Sequence, residues 1–389
     1  VSVVFGLCSL CYVPVPGVNE PHYLCKARAF WDGQWCARDY FLHSADAHVV
    51  FFAVVGAAAQ IFPLAVVAVV GRLVSLTLLG LAWVALGRRL ALSSWAIVLS
   101  DCCFCGIALT GNFSGEWVVG GLEGKVPAYG FSLLSIAFWL VALQTGHRGR
   151  YLLSGVCSGL SVALHPVVGL WFCIGVALSE AVIFACRRLR LDGVAARTLK
   201  VWVFDGVTFA GAAFLLSLPG LMPAVLLLTS QDVSPAEVDR ANYIQVFWRL
   251  AHHLDPSTFP PRGWIHAGVL LCVCTACWLG LRLRRGAANL SPAWQPWLLL
   301  LTVSTAIAAV GVGIGWHSEA AQAAFHWQWR AALLKFYPFR MFDALLSMTA
   351  ALLVARVAEL ARQSAAAVGG GSATGTSETV TAQTAHGPI

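Results

Sequence analysis

Long apolar segments alternate with short polar ones along this chain of 389 residues. Many of the apolar segments approach 20 residues, the length that an α-helix needs to cross the hydrocarbon core of a bilayer. Because backbone polar groups in hydrocarbon must pair internally, such segments are expected to be helices. The pattern predicts about ten membrane spans, at residues 1–14, 64–87, 91–110, 127–145, 151–165, 167–186, 201–228, 264–281, 297–314 and 341–360.

Three features modify this simple pattern. Residues 47–61 are apolar but too short to span comfortably, which predicts an interfacial helix in the first external loop, before Pro63. His165-Pro166 divides two spans, and Leu218-Pro219-Gly220 interrupts a third. The predicted fold class is therefore an all-α polytopic membrane protein. It has a transmembrane domain over residues 1–362 and a disordered cytoplasmic tail over residues 363–389, which are rich in Ala, Gly, Ser and Thr.

Charge sets the predicted orientation. The formal net charge is +7, but charged residues make up only 11% of the chain and the arginines cluster between helices. The positive-inside rule explains such clusters without nucleic acid, so we expect membrane lipids and no nucleic acid among the partners. The clusters follow the even-numbered spans and are therefore predicted to be cytoplasmic: Arg88-Arg89, His147 to Arg150, Arg187 to Arg190 and Arg282 to Arg285.

The remaining loops are then extracytoplasmic, at residues 15–63, 111–126, around 165, 229–263 and 315–340. Arg, Ala, Val and Gly are abundant while lysine is rare, which is typical of a GC-rich bacterial genome. The predicted location is the bacterial cytoplasmic (inner) membrane, with the active face extracytoplasmic.

The candidate functional residues lie in these outer segments. Some acids, such as Asp46, are expected to be solvated loop residues. Others are embedded in aromatic or apolar surroundings, where ionisable groups are costly and take functional or paired roles. The candidates for catalysis are Glu20, His22 and His165, and those for substrate or phosphate binding are Glu123, Lys125, Arg249, His252, His253, Arg340 and Asp343.

Structural roles compete with these assignments. His165 could equally cap a helix, and Arg340 and Asp343 could form an i,i+3 pair at the start of the last span. The residue types of Glu20, His22, His252 and His253 suit a divalent cation, but no spacing specifies a site. No metal ligand is assigned, and the cofactor stays open.

Several motifs carry a resemblance. Asn19-Glu20-Pro21-His22-Tyr23, Gly115 to Lys125, His165-Pro166, Arg249 to Pro256 and Tyr337 to Asp343 resemble an uncharacterised bacterial family of polytopic membrane proteins. An acidic residue in the first external loop, an interfacial helix after it and basic outer loops resemble the GT-C superfamily of membrane glycosyltransferases.

That second resemblance implies a polyprenyl-phosphate-linked sugar donor and a role for Glu20 as base or metal ligand. The chain departs from the superfamily pattern because Asn19, not a second acid, precedes Glu20.

The predicted function is glycosyl transfer from a lipid-linked donor at the extracytoplasmic face. The alternative is a transporter or flippase of a lipid-linked or anionic substrate. A pathway across the bilayer would need more polar residues within the spans than Arg72, Asp101, Glu180 and Asp205, and no internal repeat is visible. These observations favour the enzyme.

Overall fold

The computed structural model describes residues 1–17, 19–189, 198–229, 233–285 and 290–370, and all regular structure in them is helical. The helices are α1 (Ser2–Tyr12), α2 (Glu20–Trp31), α3 (Val49–Ile61), α4 (Leu64–Arg89), α5 (Ser94–Leu109), α6 (Lys125–Thr145), α7 (Arg148–Leu164), α8 (Pro166–Arg188), α9 (Leu199–Thr229), α10 (Pro235–Tyr243), α11 (Ala251–Leu254), α12 (Pro261–Arg285), α13 (Trp294–Gly315), α14 (Trp327–Leu334) and α15 (Arg340–Gly370).

Membrane-spanning character is confirmed only in part. Seven of the described helices are long and apolar enough to cross a bilayer: α4, α6, α8, α9, α12, α13 and α15. Helices also form in the other predicted spans, but α1, α5 and α7 are shorter, at 11, 16 and 17 residues. The count of about ten spans is therefore not confirmed.

Two local expectations differ from the structure. The interruption at Pro219 does not break α9, which contains both Pro219 and Pro223. The predicted polar loop after the first span contains a helix, α2, whose start is favoured by Pro21 in its first turn. The helix predicted before Pro63 is present as α3.

The last helix also extends past the predicted domain boundary. Residues 363–370 belong to α15, because alanine-rich sequence has high helix propensity. The rest of the predicted tail, residues 371–389, lies outside the described residues.

Helix α6 packs between α4 and α7, α9 packs along α7, and α15 packs against α5, α12 and α13. Serines join α6 to α7: Ser132 Oγ lies 2.8 Å from Ser161 Oγ, and Ser135 Oγ lies 2.8 Å from Ser158 Oγ. Gly155 on α7 leaves room for the backbone of α9, since a Cβ there would collide with the carbonyl of Phe209. Small and hydroxyl side chains of this kind allow close helix packing in a membrane.

The arginine-bearing helix ends meet at one end of the bundle, here called the arginine end: the C-termini of α4, α8 and α12, and the N-terminus of α7. Contacts such as Trp294 Nε1 to the Leu90 carbonyl (3.0 Å) hold it together. The opposite loop end consists of α2 and of residues 32–48, 111–124, 243–260 and 316–339.

A reporter experiment tests the orientation of these two ends. A periplasmic-type reporter fused after Arg285 is expected to be inactive, and the same reporter inserted near Pro256 is expected to be active, because arginine-rich ends stay cytoplasmic. A cytoplasmic reporter at the same positions is the control. Reversed signals would place every candidate site on the cytoplasmic face.

Candidate functional site at the loop end

Asp343 on α15 holds the loop of residues 111–124 in place. Its carboxylate accepts hydrogen bonds from the backbone N–H of Phe113 (2.9 Å) and Ser114 (2.8 Å), and from the Ser114 hydroxyl (2.6 Å). Gly111 and Gly115, both at positive φ, allow the loop to turn around this carboxylate. Asp343 therefore has a positioning role, and the considered Arg340–Asp343 ion pair does not form.

Arg340 instead joins a buried cluster of two acids and two bases. Its Nε lies 2.7 Å from Glu116 Oε2, while Lys125 Nζ lies 3.3 Å from Glu116 Oε1 and 3.7 Å from Glu123 Oε2. The charges balance, which offsets part of the cost of burying them. The structure thus brings together the predicted residues Glu123, Lys125 and Arg340 and adds Glu116.

The two carboxyl groups of this cluster have opposite pKa shifts. Burial raises the pKa of Glu116, but Arg340 and Lys125 outweigh it, so the net pKa is below the usual value. At Glu123 burial raises the pKa more than Lys125 lowers it, and the net pKa is above the usual value. Glu116 is therefore a fixed anion, and Glu123 is the more basic carboxylate.

Two neutral histidines cover the cluster. The His165 ring caps α8, since its Nδ1 accepts from the backbone N–H of Val168 (3.3 Å), and its Nε2 lies 3.4 Å from Arg340 Nη1. The His48 ring packs against it at a tilt of 38°, with a centroid distance of 4.6 Å. Burial, His48 and Arg340 hold the pKa of His165 well below its usual value, and burial and Arg340 lower the pKa of His48 to about 4.

These histidine pKa values predict acid sensitivity. In the unfolded chain His48 takes up a proton near pH 6.5, whereas in the folded protein its pKa is about 4. Stability is therefore expected to fall as the pH drops from about 6.5 to about 4. Thermal unfolding across this range should show the decline, and His48→Gln should flatten it. An unchanged slope in His48→Gln would assign the effect to other groups.

A polar cavity of about 320 Å³ opens beside this cluster. Part of its wall comes from α2, where His22 and Lys26 are four residues apart and share one helical face. His48 and Asp46 line it from the segment before α3, and Arg249 lines it from across the site. Its volume is at the lower end of the range for small-molecule sites.

The cavity presents positive charge. Lys26 Nζ pairs with Asp46 Oδ1 at 3.0 Å and donates to the Phe41 carbonyl and the Ser44 hydroxyl. Arg249 is exposed at the end of a π-helical turn, Ile244–Arg249, and no carboxylate of the described residues lies within ion-pair distance of it. An unpaired guanidinium in a cavity suits an anionic group such as a phosphate.

The cavity and the buried cluster are in contact. Asn19 lines the cavity and lies close enough to Glu123 to lower the pKa of that carboxyl, and His48 lines the cavity and packs against the His165 ring. A ligand in the cavity would therefore lie next to Glu123 and His165 without touching Glu116. Together they form one site, the headgroup cavity, with the ion cluster as its base.

Glu20 does not face this cavity. Its side chain is fully buried, and its two oxygens accept from Arg72 Nε (2.6 Å) and Nη2 (2.5 Å), from the Gly17 N–H (2.5 Å) and from the Leu122 N–H. Burial alone would raise the pKa of Glu20. The hydrogen bonds from Arg72 and from the two backbone N–H groups outweigh burial, so the net pKa of Glu20 is below its usual value. This environment favours a structural anion over the base predicted from the sequence.

The predicted trio of Arg249, His252 and His253 is also separated. The π-helical turn ends at Arg249 and α11 begins at Ala251, so the helical spacing assumed for the trio is lost. His253 Nδ1 lies 2.5 Å from the Ser114 carbonyl and supports the loop of residues 111–124. His252 is exposed next to it. Only Arg249 of the three lines the headgroup cavity.

Sequence reasoning missed Lys26, Asp46 and Arg72. Lys26 could have been found from its i,i+4 relation to His22, had α2 been predicted as a helix. Asp46 was expected to be solvated, but it is partly buried against Lys26. Arg72 carried no local signal for its partner, because Glu20 lies 52 residues away.

An apolar groove of about 440 Å³ adjoins the headgroup cavity. It runs between α3 and α4, and Leu122 and Leu164, the residues before Glu123 and His165, line one side of it. Phe52 on α3 lines the cavity and the neighbouring Phe51 lines the groove. The polar headgroup cavity and the apolar groove are thus both lined by α3.

Within the described residues no group of three or more His, Cys, Asp or Glu side chains is arranged to hold a metal ion. No family model, curated protein or solved structure matches this chain.

Proposed function

We propose that this protein is a membrane glycosyltransferase that uses a lipid-phosphate-linked sugar as its donor at the loop end. The observation that carries the proposal is the pairing of a cationic cavity with an apolar groove on one helix, α3. A donor with a phosphate headgroup and a long apolar chain has the same division into a charged part and an apolar part.

The anion would be bound by Arg249. It supplies a planar guanidinium that can make two hydrogen bonds to a phosphate, whereas the Lys26 ammonium is already paired with Asp46 and contacts Phe41 and Ser44. Arg249 also neutralises the leaving lipid phosphate as the bond to the sugar breaks. Arg340 has a less direct role, since it balances the negative charge of Glu116 beneath the cavity.

The base would be His22. It is exposed, it lines the cavity, and it lies one helical turn from Lys26. Its imidazole would accept the proton of the acceptor hydroxyl as that oxygen attacks the anomeric carbon, and the lipid phosphate would leave from the opposite face. This attack inverts the anomeric configuration.

The test is turnover of polyprenyl-phosphate-linked sugars by the purified full-length chain in phospholipid vesicles. We expect transfer to a hydroxyl acceptor from the lipid-linked donor and none from the corresponding nucleotide sugar, which lacks the apolar chain. Movement of the intact lipid between leaflets, with no transfer, would favour the transporter and contradict the proposal.

Arg249 gives a specific prediction for donor binding. Arg249→Gln is expected to weaken donor binding about 10- to 100-fold, because a charge-assisted hydrogen bond to the phosphate is lost. Donor titrations at fixed acceptor concentration measure this effect. Arg240→Gln is the matched control, since Arg240 is exposed on α10 and does not line the cavity. Equal effects in both variants would indicate general electrostatics instead of a phosphate site.

A further inference from the structure

A second cavity lies between α8 and α9. It has a volume of about 630 Å³, and its floor is formed by α6 and α7. On α9 it extends from Trp202 to Leu221, which corresponds to about 28 Å along the helix axis. Val203, Val207 and Phe214, which line it, are exposed and would face lipid. The cavity, here called the α8–α9 crevice, is long enough for one extended hydrocarbon chain.

One carboxylate interrupts this apolar lining. Glu180 on α8 accepts a hydrogen bond from Trp139 Nε1 at 2.7 Å and one from the Tyr151 hydroxyl at 3.3 Å. A carboxylate has about four acceptor positions, so these two donors leave it room for a further partner. Both donors are neutral, and no cation of the described residues lies within ion-pair distance of Glu180.

The position of Glu180 in the membrane explains why a cationic partner matters. Trp139, Tyr151 and Trp202 all lie near the arginine end of their helices, where aromatic side chains mark the membrane interface. Glu180 is part of a spanning helix and lies beside an apolar crevice, and an ionisable residue within a span usually pairs with another polar group. Among the described residues the carboxylate is held by hydrogen bonds alone, so a cation in the crevice would balance its charge.

We propose that the α8–α9 crevice binds an amphiphile with one long apolar chain and a terminal ammonium group. The chain would lie along α9, and the ammonium would donate hydrogen bonds to Glu180 beside Trp139 and Tyr151. This site is independent of the proposed glycosyl transfer, because it shares no lining residue with the headgroup cavity and its carboxylate, Glu180, lies in the arginine-end half of α8.

Photochemical labelling tests the proposal on the full-length chain in phosphatidylcholine nanodiscs. The probe is hexadecylamine that carries a photoactivatable diazirine on its chain, and the matched probe is the corresponding hexadecanol. Labelled positions are mapped by mass spectrometry. We expect the amine to label α8 and α9 more strongly than the alcohol does, and unlabelled hexadecylamine to compete with it.

Two variants separate charge recognition from simple occupancy by lipid. Glu180→Gln should reduce labelling by the amine about tenfold or more while leaving labelling by the alcohol unchanged, since only the ammonium loses an ionic hydrogen bond. Ala210→Trp, which fills the crevice from α9, should abolish labelling by both probes. Unchanged alcohol labelling in Glu180→Gln also serves as the check that the crevice is intact.

Equal labelling by the amine in wild type and Glu180→Gln would overturn the proposal, as would equal labelling of wild type by the amine and the alcohol. Either result would make the crevice a general lipid-binding surface that does not recognise charge. Loss of alcohol labelling in Glu180→Gln would also overturn it, because Glu180 would then support the helix packing and not the ligand.

Discussion

Replacing Arg72 with methionine is expected to lower the free energy of unfolding by about 3–5 kcal/mol, because it leaves a buried carboxylate without its counter-ion. Glu20 and Arg72 are both almost completely buried, at 0% and 1% exposure. Arg72 also donates to the carbonyls of Val13 and Pro14, so the variant leaves these acceptors unsatisfied as well. Thermal unfolding in detergent, together with the yield of folded protein, measures the loss.

The double variant Glu20→Gln/Arg72→Met is the control. It removes the uncompensated charge along with its partner and should recover part of the stability that Arg72→Met loses. Glu20→Gln alone should also destabilise the protein, whereas a catalytic base would lose turnover at unchanged stability. A stable Glu20→Gln variant without activity would return Glu20 to the role predicted from the sequence.

His22→Gln is expected to reduce the turnover number ~100- to 10,000-fold, the range typical of losing a general base. Donor binding should change little, because Arg249 is retained. Stability should also be preserved, since the ring is exposed and packs edge-on against Phe41 at 5.5 Å. Steady-state turnover of the lipid-linked sugar, normalised to folded protein, provides the measurement.

A matched variant and a rescue experiment sharpen this prediction. His43→Gln changes another exposed histidine of the same outer segment that does not line the cavity, and it should retain wild-type turnover. Added imidazole should restore part of the activity of His22→Gln if the lost function is proton acceptance. Full activity of His22→Gln would exclude this base and leave Glu123, the more basic carboxylate of the ion cluster, as the next candidate.

The sequence anticipated more of the helices than of their contacts. The helix before Pro63, the break at His165-Pro166 and the arginine-bearing ends all follow from local composition. The helix α2 was missed because its mixed polar and aromatic residues resemble a loop. The capping role considered for His165 is present, since its ring nitrogen accepts from Val168.

In the candidate site, too, the sequence identified residues but not their contacts. Lys125, Glu123, His165 and Arg340 were selected because ionisable residues in apolar surroundings are costly, and they do lie together. That argument identifies residues that need partners, but it does not identify the partners. Glu20 met the same criterion and pairs with Arg72 away from the cavity.

The sequence by itself determined that this is a helical membrane protein, approximately where its helices lie and which of their ends carry arginine. These properties depend on residues that are close together in the chain. Only the tertiary structure decided that Asp343 binds a loop 230 residues away, that Arg340 pairs with Glu116 and that His22 shares a cavity with Arg249. A buried charge requires a counter-charge or hydrogen bonds, but its energy is the same whichever segment supplies them, so helix packing alone selects the partner.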